Sequence, residues 1–384
     1  MGWPLGERGP RQRTSEHAYG DYRHMTYDER KPLINRLQQV RGSRVLCFVL
    51  SDRETFPPGI PGFQANMASD AQPALRQLLR DIGHVDRLDF FLYTRGGATD
   101  TVWPLVCNLR EHCDHLSVIV PFRAHSAGTM VCLGADEVLM SDGAELSPID
   151  PTTGNQFNPR DPVNPANPSG INISVEDVIA YFRFAEDVAH ISDEQYTIEV
   201  LKQLTTHVHP LALGNVQRVY LMIGRLAREL LALHLERDEE AFSRMVTGLT
   251  TDFYTHVHAI SRREAQALLG DTWVHAPDAE AAAAIDDLFA AFSRDLHLHE
   301  KYNLPDEMGD DSSAELNPVA AILETEGRSF ACETHVKVMQ RPQLPPNVQV
   351  QVPPGQPLPL APWVLRTYDF GVLATGWVPN SEGV

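Results

Sequence analysis

Two short turns between residues 90 and 151 decide the fold of this chain: YTRGG at residues 93–97 and AHSAGT at residues 124–129. Each turn follows a run of apolar residues and precedes a segment with helical character. Glycine permits the tight backbone that links a strand to the helix after it. The two turns therefore predict two successive βα units.

The same alternation extends outward from the two turns. We predict strands at residues 45–51, 88–93, 116–120 and 137–140, and helices at residues 71–82, 100–112 and 126–133. Strands and helices that alternate at this spacing are typical of right-handed βαβ crossovers in a largely parallel sheet. The first half of the chain is therefore predicted to be an α/β core.

The second half begins helical and ends in a Pro-rich tail with strand-like runs. Helices are predicted at residues 175–189, 193–204, 215–236, 239–246, 262–269 and 279–292, a polar link at 300–317, and strand-like runs at 348–352, 363–367 and 371–378. Residues 150–173 carry five prolines among Asn, Asp and Gly, a composition that ends helices and strands. We interpret this segment as a long loop, either a flap on the substrate side or plain disorder.

These patterns divide the chain into three predicted parts. Residues 1–42 form a flexible or subunit-docking N-terminal segment with one short helix near residues 28–39. Residues 43–292 form the main domain, which contains the Pro-rich loop, and residues 293–384 form a linker and C-terminal extension.

The composition argues against several classes of partner and location. The formal net charge of -19 opposes nonspecific binding to nucleic acid or anionic lipid, so neither is expected as a partner. The five cysteines include no CxxC pair and indicate reduced thiols. No run of about 18 apolar residues occurs, and residues 1–41 lack the apolar stretch of a secretory signal. We expect a cytoplasmic protein without a membrane span.

Metal and nucleotide signatures are also absent from the sequence. HExxH, a His/Cys set with a third ligand, GxGxxG and GxxxxGK[ST] do not occur. We therefore expect neither a metal nor another cofactor.

The two turns supply the parts of a nucleophilic site. A serine hydroxyl needs a base, and it needs donors where negative charge develops on the attacked carbonyl. Ser126 at the start of the second helix is the candidate nucleophile, while the backbone N–H groups of Gly96, Gly97 and Ala127 are the candidate donors. A tight turn and a helix cap explain either turn by itself. Their occurrence in successive βα units favours the catalytic interpretation.

The base is chosen from a few residues. Lys202 is the first candidate because a lysine in an apolar site loses its proton readily, although a solvated surface lysine is the alternative. His209 with Asp150 is the competing pair, in a Ser/His/Asp arrangement. His125 is adjacent to the serine but is expected to point away from its hydroxyl. Asp150 is also interpreted as a turn former or an orienting group.

An ordered series of motifs resembles a known family. The series comprises residues 93–97 (YTRGG), 121–129 (PFRAHSAGT), 133–137 (LGADE), 145–151 (ELSPIDP), 209–214 (HPLALG) and 253–256 (FYTH). Over residues 44–273 the chain resembles the serine dehydrogenase proteinase family of the ClpP/crotonase superfamily, which is related to signal peptide peptidase A. The resemblance implies a spiral of ββα units, a homo-oligomer and an ATP-independent serine peptidase that acts on peptides or proteins.

The resemblance also implies roles for individual residues. Ser126 matches the family nucleophile, Gly96 and Gly97 match the oxyanion-hole turn, and Ser147 falls where a serine helps to orient the lysine. Lys202 is carried over as that lysine. Many members look membrane-anchored by an N-terminal apolar segment, and this sequence shows none. That departure argues against a membrane location and a signal-peptide substrate.

Three other functions fit parts of the pattern. A crotonase-type acyl-CoA enzyme would bind coenzyme A and carry Glu or Asp where this chain has Ser126. A catalytically weak scaffold or partner-binding protein would not need the serine at all. An α/β-hydrolase is disfavoured because the glycine turn comes one βα unit before the serine and no late Asp and His follow.

Overall fold

The computed structural model describes residues 27–53, 65–150, 152–161, 170–250, 253, 257–309, 311–343 and 365–379. The strands are β1 Arg44–Leu50, β2 Val85–Tyr93, β3 Cys113–Val120, β4 Arg123–Ala124, β5 Glu137–Met140, β6 Glu145–Leu146, β7 Thr152–Thr153, β8 Ile173–Ser174, β9 Ile260–Ser261, β10 Val274–His275, β11 Ser313–Leu316, β12 Val319–Glu324, β13 Ser329–Gln343 and β14 Leu365–Pro379. The helices are α1 Tyr27–Arg41, α2 Gln72–Ile82, α3 Val102–Arg110, α4 Ala127–Leu133, α5 Val175–Arg183, α6 Glu194–His207, α7 Pro210–Leu231, α8 Glu239–Thr250, α9 Arg262–Leu269, α10 Ala279–Asp295 and α11 Leu304–Met308.

One large sheet lies at the centre of the described residues. Its strand order is β10-β5-β3-β2-β1-β12-β13-β11, with β14 paired to β13. The strands from β10 to β1 run parallel, whereas β12 pairs antiparallel with β1 and starts an antiparallel half. Parallel strands are buried on both faces, which explains the apolar runs at residues 45–50 in β1, 90–93 in β2 and 118–120 in β3. The predicted α/β core with a largely parallel sheet is confirmed at this level.

Helices cover both faces of the parallel half. Along β1, Leu46, Phe48 and Leu50 face one core, which α2, α3, α4, α7, α8 and α9 complete. Val45, Cys47 and Val49 face the other core, which α1 and α10 complete. Successive strand residues alternate between faces, so one strand contributes to both cores.

Most predicted elements occur with shifted ends. The bounds of β5 and α9 match the prediction, while α7 begins five residues earlier than predicted, at Pro210. The link at residues 300–317 contains α11 and β11. The strand-like run at 348–352 lies outside the described residues.

The predicted domain boundary at residue 292 falls inside a helix. α10 runs through this position to Asp295, and β12, from beyond it, extends the main sheet beside β1. α1 packs on α10, with Ile34 and Leu37 fully buried. The three-part division and the spiral of ββα units stay predictions. No helix of the described residues is long and apolar enough to cross a membrane.

Candidate active site

The two turns lie side by side at the carboxyl ends of β2 and β3. The N–H of Thr94 donates to the carbonyl of Arg123 at 3.0 Å, and the N–H of His125 donates to the carbonyl of Thr94 at 3.0 Å. These hydrogen bonds form a short parallel bridge between the first turn and β4. Ligands of open α/β sheets bind at the carboxyl ends of parallel strands. The parallel sheet thus brings together the two motifs that the sequence singled out.

Ser126 occupies a strained backbone conformation directly before α4. Its φ is 51° and its ψ is -111°, a combination that side-chain-bearing residues rarely adopt. Such strain costs on the order of 1–3 kcal/mol and persists only where the surroundings enforce it. Here the N–H of Ser126 donates to the hydroxyl of Ser147 at 2.7 Å. Ser126 is partly exposed, so its side chain is accessible from outside.

Gly96 lies directly against Ser126. A Cβ built on Gly96 would lie 2.8 Å from Ser126 Cβ and 2.9 Å from the carbonyl oxygen of His125. The φ of Gly96 is 107°, which also favours glycine. Its N–H is already used, because it donates to Thr94 Oγ1 at 2.9 Å. The missing side chain of Gly96 therefore allows the first turn to lie against Ser126, while the N–H of Gly96 bonds to Thr94 and not to a ligand.

Gly97 and Ala127 present N–H groups beside the serine turn. Gly96 and Ala98 form the two hydrogen bonds to Met67, each 2.9 Å, and a Cβ on Gly97 would overlap the Met67 backbone. Because N–H groups alternate in direction along a strand, that of Gly97 points away from Met67. Ala127 is the first residue of α4, so its N–H has no acceptor within the helix. No hydrogen bond among the described residues uses either N–H.

Ser147 is buried beside the nucleophile candidate, at 2% exposure. Its Oγ accepts the N–H of Ser126 and donates to the carbonyl of Pro148 at 3.0 Å. Its own backbone contacts Thr129 on α4. The structure therefore places Ser147 at the backbone of Ser126, whereas the resemblance assigns it to the lysine.

An ion-pair network ties together the elements around the turns. The side chain of Asp52, just beyond β1, is 3% exposed and pairs with Arg95 at 2.8 Å and with Arg123 at 2.9 Å. Arg123 also pairs with Glu145 on β6 at 2.9 Å. Burial and the nearby Asp52 raise the pKa of Tyr93 well above its usual value. The network connects both turns to β1 and β6, which fixes their relative position.

His125 belongs to this network. Its Nε2 lies 3.1 Å from Glu145 Oε1, within ion-pair distance but without the alignment of a hydrogen bond. Burial lowers the pKa of His125, while the carboxylate of Glu145 opposes that shift. The ring is therefore next to Glu145, and none of its hydrogen bonds or ion pairs in the described part of the chain involves Ser126.

Lys202 and His209 are both exposed, the first on α6 and the second at the start of α7. The side chain of Lys202 is 65% exposed, and its Nζ is 2.7 Å from Glu199 Oε1 on the same helix, α6. His209 is the N-cap of α7, where its Nδ1 accepts the N–H of Leu211 at 3.1 Å and its ring stacks on Phe157. Neither side chain bonds to Ser126 within the described ranges.

Asp150 faces another carboxyl group. Thr152 pairs with Ser174 in the antiparallel bridge of β7 and β8, and Glu176 follows at the start of α5. Asp150 is 4% exposed. Burial first, and the charge of Asp150 second, raise the pKa of Glu176. Asp150 thus borders the end of the Ser147 segment, where the Pro-rich loop begins.

Sequence patterns did not predict that two threonines support the site. Thr94 holds Gly96 through its hydroxyl, and Thr129 holds Ser147. Each lies inside a motif that was recognised, so the available signal was a hydroxyl side chain at a strand end or in a helix first turn, where it bonds to backbone. The described residues include no group of three or more His, Cys, Asp or Glu suited to hold a metal.

The same region matches a known protein family. Residues 19–161 match the family model described as ClpP-like SDH-type serine proteinase. This stretch contains both turns, Ser126, Ser147 and Asp150, so the family predicted from the sequence is confirmed over this part of the chain. Residues 19–161 are therefore similar to ClpP-like SDH-type serine proteinases, and the α/β fold of this region is consistent with that similarity.

Two relatives come from Methanocaldococcus jannaschii. Uncharacterized protein MJ1495 is 26% identical over 220 residues, which cover 52% of this chain and 75% of that protein. Uncharacterized protein MJ0137 is 29% identical over 125 residues, which cover 33% of this chain and 43% of that protein. Their names state no activity, so the similarity to them does not indicate a reaction.

Proposed function

We propose that this protein is an ATP-independent serine peptidase in which Ser126 is the nucleophile. The observation that carries the proposal is the close approach of a strained, partly exposed Ser126 to the Gly96 turn. A strained serine at a helix start beside small residues leaves room for a substrate carbonyl. The family match over residues 19–161 supports the same reaction class.

The proposed reaction proceeds through an acyl-enzyme. Ser126 Oγ attacks the peptide carbonyl carbon as a base takes its proton, and the carbonyl oxygen becomes negatively charged. The N–H groups of Gly97 and Ala127 stabilise that oxygen, with help from the positive end of the α4 dipole. The amine product leaves with the proton from the base. Water then attacks the acyl-enzyme, releases the acid product and restores the serine.

We propose Lys202 as the base in an assembled homo-oligomer. α6 has no buried residue, and it exposes Tyr196, Ile198 and Leu201 at 62%, 47% and 44%. Ile198 and Leu201 lie three residues apart on one face of the helix, and neighbouring exposed apolar side chains of this kind mark surfaces that pack against another protein. Packing of a second copy over α6 would take Lys202 out of water, and removal from water disfavours the charged form of a lysine side chain. His209 with Asp150 is the alternative base pair.

A covalent probe tests the nucleophile. A fluorophosphonate should label the folded protein at Ser126, located by mass spectrometry of the peptides, and Ser126→Ala should abolish the label. Ser192→Ala is the matched control, because Ser192 is exposed in the loop before α6 and lies outside the site. If the folded, assembled wild type takes no label, or if Ser126→Ala labels like the wild type, the peptidase proposal is wrong.

The base is tested by the rate of the same labelling. Removal of a general base lowers the rate by about 10²–10⁴-fold. Lys202→Ala should show this loss and His209→Ala should not, and Lys31→Ala, at an exposed lysine on α1, is the control. The reverse pattern would assign the base to His209. Sedimentation of the wild type and of Leu201→Asp tests whether α6 holds copies together.

A further inference from the structure

Thr129 makes three buried contacts through a single hydroxyl. The residue is fully buried in the first turn of α4, three residues after Ser126. Its Oγ1 lies 2.8 Å from the carbonyl oxygen of Ala124 and 2.9 Å from that of Ser147, and it accepts the N–H of Ser147 at 3.1 Å. One hydroxyl proton is shared between two carbonyls, while a lone pair accepts the N–H. The side chain thereby joins α4, β4 and the segment after β6.

The contacts of Thr129 continue to the nucleophile through Ser147. The hydroxyl proton of Ser147 goes to the carbonyl of Pro148 at 3.0 Å. The oxygen therefore turns a lone pair to the N–H of Ser126, at 2.7 Å. Ser147 is 2% exposed, so water does not replace these contacts. The result is a closed loop of hydrogen bonds around Ser126, from Ala124 through Thr129 and Ser147.

This loop encloses the strained residue. With φ at 51°, Ser126 would relax to an ordinary backbone conformation if its N–H were free to turn. That relaxation would rotate the peptide planes on both sides of the residue, including the plane that carries the N–H of Ala127. Oγ and one of the two proposed oxyanion donors would lose their alignment together.

We propose that Thr129 is a positioning residue for catalysis, because its hydroxyl fixes Ser147 and Ser147 fixes the backbone of Ser126. This inference rests on the proposed function of Ser126. Thr129 itself is buried and contacts neither substrate nor the reacting atoms. Its effect should therefore appear in the rate of the chemical step and not in the binding of the probe.

The experiment compares two substitutions at one position. Thr129→Val keeps the shape and removes the hydroxyl, whereas Thr129→Ser keeps the hydroxyl. With the fluorophosphonate probe, Thr129→Val should lower the inactivation rate constant about tenfold or more, because small misplacements of reacting groups are costly. The probe concentration that gives the half-maximal inactivation rate should change less than about threefold. Thr129→Ser should restore the rate to within about threefold of the wild type.

A matched control separates positioning from general loss of stability. Thr334 is also buried, at 1% exposure, and its Oγ1 lies 3.0 Å from Thr375 Oγ1 across β13 and β14, away from the turns. Thr334→Val should lose stability in urea and keep the labelling rate. A folded Thr129→Val that labels at the wild-type rate overturns the inference, and so does a Thr129→Ser variant that labels as slowly as Thr129→Val.

Ser147 provides the second test if Thr129→Val does not fold. Ser147→Ala should slow labelling to the same extent, and in a folded double variant the two losses should not add, since both act on one contact to Ser126. Wild-type labelling by a folded Ser147→Ala also overturns the inference. A wild type that never labels would instead refute the proposed function, so the two failures are distinguishable.

Discussion

At the scale of single residues, the candidate site depends on two backbone features: the strain at Ser126 and the missing side chain at Gly96. Both can be measured without a substrate. The φ of 51° at Ser126 belongs to a region that glycine adopts readily and that residues with a side chain rarely adopt. The 2.8 Å approach between a Cβ at Gly96 and Ser126 Cβ leaves no room for any side chain.

Ser126→Gly should yield a more stable protein than Ser126→Ala. Glycine relieves the strain that alanine retains, so the difference in the free energy of unfolding should be about 1–2 kcal/mol after the greater chain entropy of glycine is subtracted. Urea unfolding of both variants measures it. The same two substitutions at Ser192, which is not at positive φ, should show the opposite order. Equal stability of the two variants at position 126 would mean that the turn is not strained.

Gly96→Ala and Gly270→Ala form a matched pair, because both glycines have a φ of 107°. A Cβ at Gly270 meets nothing within 4 Å, whereas a Cβ at Gly96 meets Ser126 and His125. Both variants carry the backbone cost, so only Gly96→Ala should carry a further loss of about 1–3 kcal/mol from overpacking. It should also abolish labelling of Ser126. Equal unfolding midpoints, with labelling intact, would contradict the packing of the two turns.

At the scale of elements, local sequence patterns predicted individual strands and helices, but they did not predict which strands pair when those strands are far apart in the sequence. The apolar runs of β2 and β3 and the glycines after them predicted the parallel units, because those signals lie within a few residues. The pairing of Cys47 on β1 with Glu324 on β12 has no local signal, since the partners are far apart in sequence. The same limit applies to the site. Spacing identified Ser126 and the Gly96 turn, but the contacts of Thr94 and Thr129 depend on packing between elements.

His234 connects the end of α7 to α4, the helix that follows Ser126. Its Nε2 is 3.0 Å from the carbonyl oxygen of Leu133, the last residue of α4, and its ring lies against Trp273. Burial lowers the pKa of His234 to about 4, and the hydrogen bond to Leu133 opposes that shift. The ring donates one N–H to that carbonyl, and its protonation would place a positive charge in a buried site between α7 and α4.

The stability of the protein should therefore fall in mildly acidic solution. The unfolded chain protonates this histidine near pH 6.5 and the folded chain near pH 4, so the contribution is complete above the higher value and lost between the two. At about 1.4 kcal/mol per pKa unit, the complete loss is on the order of 3 kcal/mol. His234→Gln keeps a hydrogen-bond donor and should reduce the change of the unfolding free energy between pH 7 and 4.5. His299→Gln, at an exposed position, should leave that pH dependence unchanged. Identical pH profiles of wild type and His234→Gln would refute this coupling.

At the scale of the whole molecule, one buried arginine joins three distant segments. Arg30 on α1 is 1% exposed and forms two hydrogen bonds of 2.8 Å with Glu324 on β12. It also pairs with Asp295 at the end of α10, and its guanidinium lies 5.0 Å from the centre of the Phe292 ring. Glu324 is fully buried. The helix near the N-terminus is thus part of the same packed unit as the sheet that carries the candidate site.

Arg30→Met should lower the free energy of unfolding by about 3–5 kcal/mol, because it leaves the Glu324 carboxylate buried without its partner. The double variant Arg30→Met with Glu324→Gln should be more stable than Arg30→Met, since the fully buried charge of Glu324 is gone, although Asp295 also loses its partner in both variants. Arg244→Met, which breaks the exposed pair with Glu240 on α8, is the control and should change stability by less than about 1 kcal/mol. Urea unfolding at pH 7 measures all three. A double variant less stable than Arg30→Met would show that the geometry of the Arg30 contacts, rather than the stranded charge, holds α1 to the sheet.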